Sequence, residues 1–159
     1  MNILFVCTGN TCRSSMAEGL FKDMVKNVNE NIIVSSAGIS VFEGESANEK
    51  AIKVLKLRNI DISSHKARQL DIDIINSSDL ILTMTKSHKD IIIYSAPEAK
   101  HKVYTLKEYA RIINDEEING NNLDIADPYG MDYNVYELSM KEIEIELKKI
   151  IDNINKLKS

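Results

Sequence analysis

Hydrophobic residues along this chain switch repeatedly between two periods. Residues 3–7, "ILFVC", form a continuous apolar, β-prone run that breaks at a turn carrying Gly9. That pattern predicts a buried strand. From Ser14 the spacing becomes helical, with Met16, Leu20 and Met24 and, less regularly, Phe21 and Val28. Ser14 or Ser15 is placed to cap this helix, with Glu18 in its first turn. Residues 31–38, "NIIVSSAG", predict a second strand ending at Gly38. Residues 47–59 predict an amphipathic helix that turns Ala47, Ala51, Ile52 and Leu55 inward. Third and fourth strands are expected at 79–84 ("DLILTM") and 102–106 ("KVYTL"). Short helices are expected at 70–78 and 86–96, and a long one at 133–157 with apolar positions Leu138, Ile145, Ile150 and Leu157.

Strands that alternate with helices predict βαβ units and a mostly parallel sheet. Right-handed crossovers then put helices on both faces. No repeat, low-complexity tract or linker interrupts the pattern, so one α/β domain over residues 1–159 is expected. Residues 114–122, "NDEEINGNN", read as an exposed acidic loop. In sheets of this kind ligands bind beyond the C-terminal strand ends. The stretch "CTGNTCRSS", residues 7–15, lies at such an end.

Composition removes several function classes. The 159 residues are 43% hydrophobic and 28% charged, an ordinary globular balance. Net charge is −4 and no dense run of Lys or Arg occurs, which argues against a nucleic-acid partner. No apolar stretch approaches the ~18–20 residues needed to cross a bilayer. The opening "MNILFV" lacks a basic flank and is too short for a signal-peptide core, so the cytoplasm is the expected location. Cys7 and Cys12 are the two cysteines, too few for a disulfide framework.

The chemistry of residues 7–15 follows from their types. Between a strand ending at Cys7 and a helix starting near Ser14, the N–H groups of Thr8, Gly9, Asn10, Thr11 and Cys12 can converge on one centre. A helix N-terminus adds positive potential there, and such a nest binds a phosphate dianion. Gly9 permits unusual backbone angles. Asn10 tolerates the left-handed region and can brace the loop with its amide. Arg13 offers a planar fork for two phosphate oxygens. Cys7 at the loop base would be held as thiolate by these groups, with a hydroxyl donated by Ser14. A thiolate beneath a bound phosphoryl group is a nucleophile in line for displacement. Other readings compete. A cysteine ending a buried strand is usually a small hydrophobe, and C-x5-R is a common match. A metal site would want three or four ligands, and no Cys/His partner pair is nearby. The glycine patterns of nucleotide loops are missing.

A second signal is "ADPYG", residues 126–130. Turnover through a phosphocysteine needs an acid for the leaving group, and the same group can later take a proton from water. Asp127 is held extended by Pro128. Alone this segment reads as a plain turn; paired with the cysteine loop, it reads as the acid.

With "VCTGNTCRS" and a distant "DPYG", the chain resembles the low-molecular-weight protein-tyrosine-phosphatase family over essentially its whole length. "SSAG" (35–38), "SSHKARQL" (63–70) and "DLILTM" (79–84) are familial and in order. Within the family, "CTGNTCRS", "MTKSHK" (84–89) and "VYTLKEY" (103–109) look most like the bacterial protein arginine phosphatases. The resemblance implies a four-stranded parallel sheet flanked by helices and hydrolysis without metal or cofactor. It implies Cys7 as nucleophile, Arg13 as phosphate clamp, Asp127 as general acid and Ser14 as thiolate stabiliser. Asn10 would brace the loop with help from Ser36 and His65, and Tyr129 would wall the cleft. Cys12 would trap oxidised Cys7 as a disulfide. Tyrosine-directed members usually carry an aliphatic residue where Thr11 stands. Ser15 departs from the proline often found there, which touches the rigidity of the helix start and not the chemistry.

The expected function is therefore hydrolysis of phosphoarginine in proteins, by a monomer whose partners are phosphorylated proteins. Phosphotyrosine hydrolysis by the same machinery is the nearest alternative. Arsenate reduction would need further cysteines after Cys12. A silent phosphate-binding module would not need Cys7, Arg13 and Asp127 together. His88 and His101 are expected at the surface, and Tyr133 and Tyr136 are candidate phosphorylation positions.

Overall fold

The computed structural model describes residues 1–28, 31–120, 122–154 and 156. Its strands are β1 (Asn2–Cys7), β2 (Ile33–Gly38), β3 (Leu80–Thr83) and β4 (Val103–Thr105). Its helices are α1 (Arg13–Val25), α2 (Glu49–Lys56), α3 (Ile72–Ser77), α4 (Lys86–Ser95), α5 (Leu106–Ile113) and α6 (Tyr133–Ile151), with a 3₁₀ turn at Pro97–Lys102. The strands form one parallel sheet in the order β2-β1-β3-β4. Among the described residues no helix is long and apolar enough to cross a membrane.

The apolar run of β1 is continuous because both of its faces are covered, as parallel strands require. Ile3, Phe5 and Cys7 face one layer with Met16, Leu20 and Phe21 of α1 and Met140, Ile143 and Leu147 of α6. Leu4 and Val6 face the other layer with Ile75, Ile81 and Ile92. Phe5 and Phe21 meet edge-on at 5.8 Å between ring centroids, a contact worth about 1 kcal/mol beyond its burial. Register brings Cys7 level with Gly38, and Val6 level with Thr83. The C-terminal ends of β1, β2 and β3 therefore open on one edge.

Gly38 is required at that edge. A Cβ there would lie 2.6 Å from the carbonyl oxygen of Thr8 and 3.0 Å from the nitrogen of Asn10, so the loop after β1 passes directly over a residue without a side chain.

Several sequence expectations change in detail. The N-cap of α1 is Cys12, with no side-chain cap, because Ser14 and Ser15 lie inside the helix. Ser15 donates back to the Cys12 carbonyl, and Ser14 Oγ lies against Cys7 Sγ. Glu18 lies beyond the first turn, which holds no acidic residue. Val28 lies past the helix and is exposed. The helix predicted at 47–59 is shorter, since Asn48 caps it. Ala47, Ala51 and Leu55 are buried, as expected, and Ile52 is partly so. Leu138 and Ile145 of α6 face solvent, while Tyr136, Met140, Ile143, Leu147 and Ile150 carry its core stripe. The predicted Leu157 lies outside the described residues, as does part of the acidic loop at 121. Helix α5 was not expected. Thr105 accepts from the Glu108 N–H and Glu108 accepts from the Thr105 N–H, a capping box that ends β4 and starts α5.

Candidate active site

Residues 8–12 join the buried end of β1 to the first turn of α1. The turn closes at Asn10, which adopts the left-handed region at φ 58°. Gly9 does not, contrary to its expected role; Asn10 alone supplies the positive φ there. An asparagine held so needs reasons to stay, and it has four. Its Nδ2 donates to Ser14 Oγ at 2.8 Å and to Ser36 Oγ at 2.9 Å. Its Oδ1 accepts from the Arg68 N–H at 3.1 Å, and its carbonyl meets His65 Nε2 at 2.6 Å. Ser36 in turn donates to Glu18, whose carboxylate lies 3.7 Å from His65 Nδ1. Asn10, Ser36 and His65, which the resemblance grouped as a brace, lie in one hydrogen-bonded network that also takes in Ser14, Glu18 and Arg68.

Ser14 Oγ, which accepts from Asn10, lies 2.9 Å from Cys7 Sγ. The Asn10 backbone N–H donates to that sulfur at 3.3 Å. The Cys12 sulfur has other neighbours. Burial pushes its thiol up, against hydrogen bonds from Tyr136 and Thr11 that pull it down. Its sulfur lies 3.3 Å from the hydroxyl of Tyr136, which burial pushes up as well. Tyr136 is fully buried, so the fold does not offer it for phosphorylation. Both cysteines are free thiols.

Arg13 is buried, although it is a cation, because its fork is held from two sides. Nη1 donates to the Ile125 carbonyl at 3.0 Å, and Nη2 lies 3.4 Å from Asp127 Oδ2. Ile125 is itself tied to the end of β3 through the Met84 carbonyl. Asp127 stays half exposed, with its Oδ1 accepting from the Tyr129 N–H. Cys7, Thr8, Gly9, Thr11, Cys12, Arg13, Asp127 and Tyr129 all line one cleft of about 220 Å³. A larger hollow of about 350 Å³, with Glu18, Lys22, Asp61 and His65 among its walls, contains none of Cys7, Arg13 and Asp127. Among the described residues no three His, Cys, Asp or Glu side chains are grouped to hold a metal ion.

His88 corrects the sequence reading. It is buried, and its Nε2 lies 2.9 Å from Thr8 Oγ1. Its Nδ1 has no hydrogen-bond partner among the described residues. A buried N–H without an acceptor costs more than a bare lone pair, so the proton belongs on Nε2. The Thr8 hydroxyl then accepts from His88 and keeps its own proton for the cleft. Burial and, second, the charge of Arg13 lower the pKa of His88 to about 4. The signal was present in the sequence. Thr85 caps α4 through the His88 N–H, which puts His88 in the first turn of a helix starting at the ligand-binding edge. His101 is exposed, as expected.

The family model for low molecular weight phosphotyrosine protein phosphatase matches residues 2–159. The chain belongs to that family. It is 36% identical to a protein-arginine-phosphatase of Bacillus subtilis (strain 168), over 98% of each chain. A solved YwlE arginine phosphatase, a cysteine-to-serine mutant with a phosphorylated active-site serine, superposes with a TM-score of 0.87 at 35% identity, covering 98% of this chain and 97% of that one. A low molecular weight protein tyrosine phosphatase from T. tengcongensis superposes at 0.85 with 39% identity, covering 96% of this chain and 98% of that one. The four-stranded parallel sheet and the whole-length resemblance read from the sequence stand.

Proposed function

We propose that this member of the family is a protein arginine phosphatase working through a phosphocysteine on Cys7. The observation that carries the chemistry is that Cys7, Arg13 and Asp127 open into one cleft, with the Asn10 N–H and the Ser14 hydroxyl both against the sulfur. The loop N–H groups and the Arg13 fork hold the phosphoryl oxygens, with the Thr8 hydroxyl beside them. The Cys7 thiolate attacks phosphorus, the S–P bond forms and the P–N bond breaks. Asp127 gives its proton to the departing guanidine nitrogen. In the second half Asp127 takes a proton from water, whose oxygen attacks phosphorus as the S–P bond breaks. Inorganic phosphate leaves and the thiolate is restored. Asp127 is half exposed at the open side of Arg13, where both the leaving nitrogen and water can reach it.

Two facts support arginine as the residue dephosphorylated. The chain is similar over its whole length to protein-arginine-phosphatases. Thr11, which lines the cleft, offers a hydroxyl where an aliphatic side chain would suit a flat apolar ring. The likeness to tyrosine phosphatases favours phosphotyrosine as the second reading, served by the same residues. Matched peptides bearing phosphoarginine or phosphotyrosine separate the two. The proposal expects the higher kcat/KM on phosphoarginine; a higher value on phosphotyrosine would replace it with the second reading.

The cysteine pair supports one further role. With a peroxide as oxidant, the Cys7 thiolate becomes a sulfenic acid; the Cys12 thiol then attacks its sulfur, a disulfide forms and water leaves. Phosphorylated proteins are the proposed partners, met by a monomer in the cytoplasm.

A further inference from the structure

The cleft holds a second carboxylate that the mechanism does not use. Glu45 lines it together with Asp127, Phe42 and Tyr129. Its backbone is pinned. The Glu45 N–H donates to the Phe42 carbonyl and its carbonyl accepts from the Ala67 N–H at 2.8 Å. Gly44, at φ 80°, makes the turn between them and donates to the Ala67 carbonyl. The neighbouring Glu43 and Val41 are tied to Gln69. The Glu45 side chain, by contrast, makes no hydrogen bond or ion pair among the described residues. A fixed segment therefore presents a free carboxylate to the cleft.

That placement is unfavourable for most phosphate esters. The loop binds a dianion, and a second negative charge on the wall opposes it. The aromatic walls do not discriminate. Phe42 and Tyr129 are 83% and 71% exposed, and such rings accept a flat aryl group or a flat guanidinium equally. A carboxylate discriminates, because only a substrate with a cation next to phosphorus turns its repulsion into attraction.

Resting on the arginine reading above, we propose that Glu45 is a specificity residue that accepts N–H groups of the substrate guanidinium and opposes aryl phosphates. Asp127 serves the nitrogen that leaves; Glu45 serves the remaining guanidinium nitrogens. The division leaves Asp127 free to donate its proton while Glu45 accepts from the planar group.

The test compares wild type with Glu45→Gln and Glu45→Lys on three substrates: a capped single phosphoarginine residue, a phosphoarginine peptide and the matched phosphotyrosine peptide. Glu45→Gln should lower the phosphoarginine-to-phosphotyrosine ratio of kcat/KM about tenfold, and Glu45→Lys should lower it further. The capped residue should show the same loss as the peptide. Glu45 is exposed and bonded through its backbone alone, so both variants should fold; Glu45→Asp should keep part of the preference. Three results overturn the proposal. One is an unchanged ratio in variants of an enzyme that prefers phosphoarginine, which removes Glu45 but leaves the arginine reading. Another is a loss confined to the peptide, which means that Glu45 reads a neighbouring basic residue. The third is a wild type that does not hydrolyse phosphoarginine, which removes the arginine reading and Glu45 with it.

Discussion

At the floor of the cleft Asn10, Arg13 and Ser14 are almost wholly buried, and each of their side chains is hydrogen-bonded. At the rim Phe42, Glu45, Asp127 and Tyr129 are exposed, and two of them are aromatic rings open to water. The floor is over-determined. Asn10 holds its left-handed backbone through a network reaching Ser36, His65, Arg68 and Glu18. The rim hangs on two loops, one pinned by Ala67 and Gln69, the other by Met84 and Lys86. Phosphoryl transfer needs fixed charge and direction, which burial supplies. Choice of substrate needs side chains that change without disturbing that frame, which a rim supplies.

If this division holds, floor substitutions should stop all substrates alike, and rim substitutions should separate them. Cys7→Ser is the largest break. Turnover should fall about 10⁴-fold or more on every substrate, since a serine hydroxyl is neither a ready nucleophile nor a good leaving group. Phosphate binding, measured by calorimetry, should survive. Turnover within tenfold of wild type would refute covalent catalysis by Cys7.

Asp127→Asn stands at the junction. Its loss should be roughly 10²–10⁴-fold where the leaving group needs a proton and much smaller where it does not. Rates across a series of aryl phosphates of graded acidity show this as a slope. A uniform loss along the series would make Asp127 structural.

Thr11→Ile should lower the phosphoarginine-to-phosphotyrosine ratio of kcat/KM by about tenfold or more, by removing a hydroxyl and extending an aliphatic group into the cleft. A constant ratio would clear Thr11 of any part in selection. Cys12→Ser should leave the peroxide-treated enzyme less recoverable by thiols, because sulfenic Cys7 then lacks its partner. Recovery equal to wild type would show that Cys12 protects nothing.

The smallest effect concerns His88. Its folded pKa, about 4, lies below its ordinary 6.5. The unfolded chain therefore binds the extra proton between these values, and stability falls as pH drops from about 6.5 to about 4. His88→Gln, which keeps a donor for Thr8, should flatten that part of the curve of melting temperature against pH. The same slope in both proteins would place the acid sensitivity elsewhere.

Much of this was legible in the sequence because parallel strands and phosphate loops depend on local rules. The run at 3–7, the helical spacing after Ser14, and the cysteine–arginine pair spanning a turn state their structure within a few residues. Helix α5 was less legible, since residues 102–106 read as strand with no helix after them until the Thr105–Glu108 capping box is noticed. The side of α6 was misread because Leu138 and Ile145 are apolar yet exposed, while Ser139 and Glu144 are buried, the latter bonded to Arg58. Tyr136 and Glu45 were missed for a common reason. Each meets the site across a long stretch of chain, and no local pattern encodes which distant residues a loop will touch.

The most direct measurement of the central claim is rapid quenching of the enzyme during turnover of a phosphoarginine peptide, followed by mass spectrometry of its own peptides. The account predicts a phosphoryl group on Cys7 and on no other residue, absent in the Cys7→Ala variant. Turnover of the same substrate with no phosphoryl group on Cys7 at any quench time would contradict it.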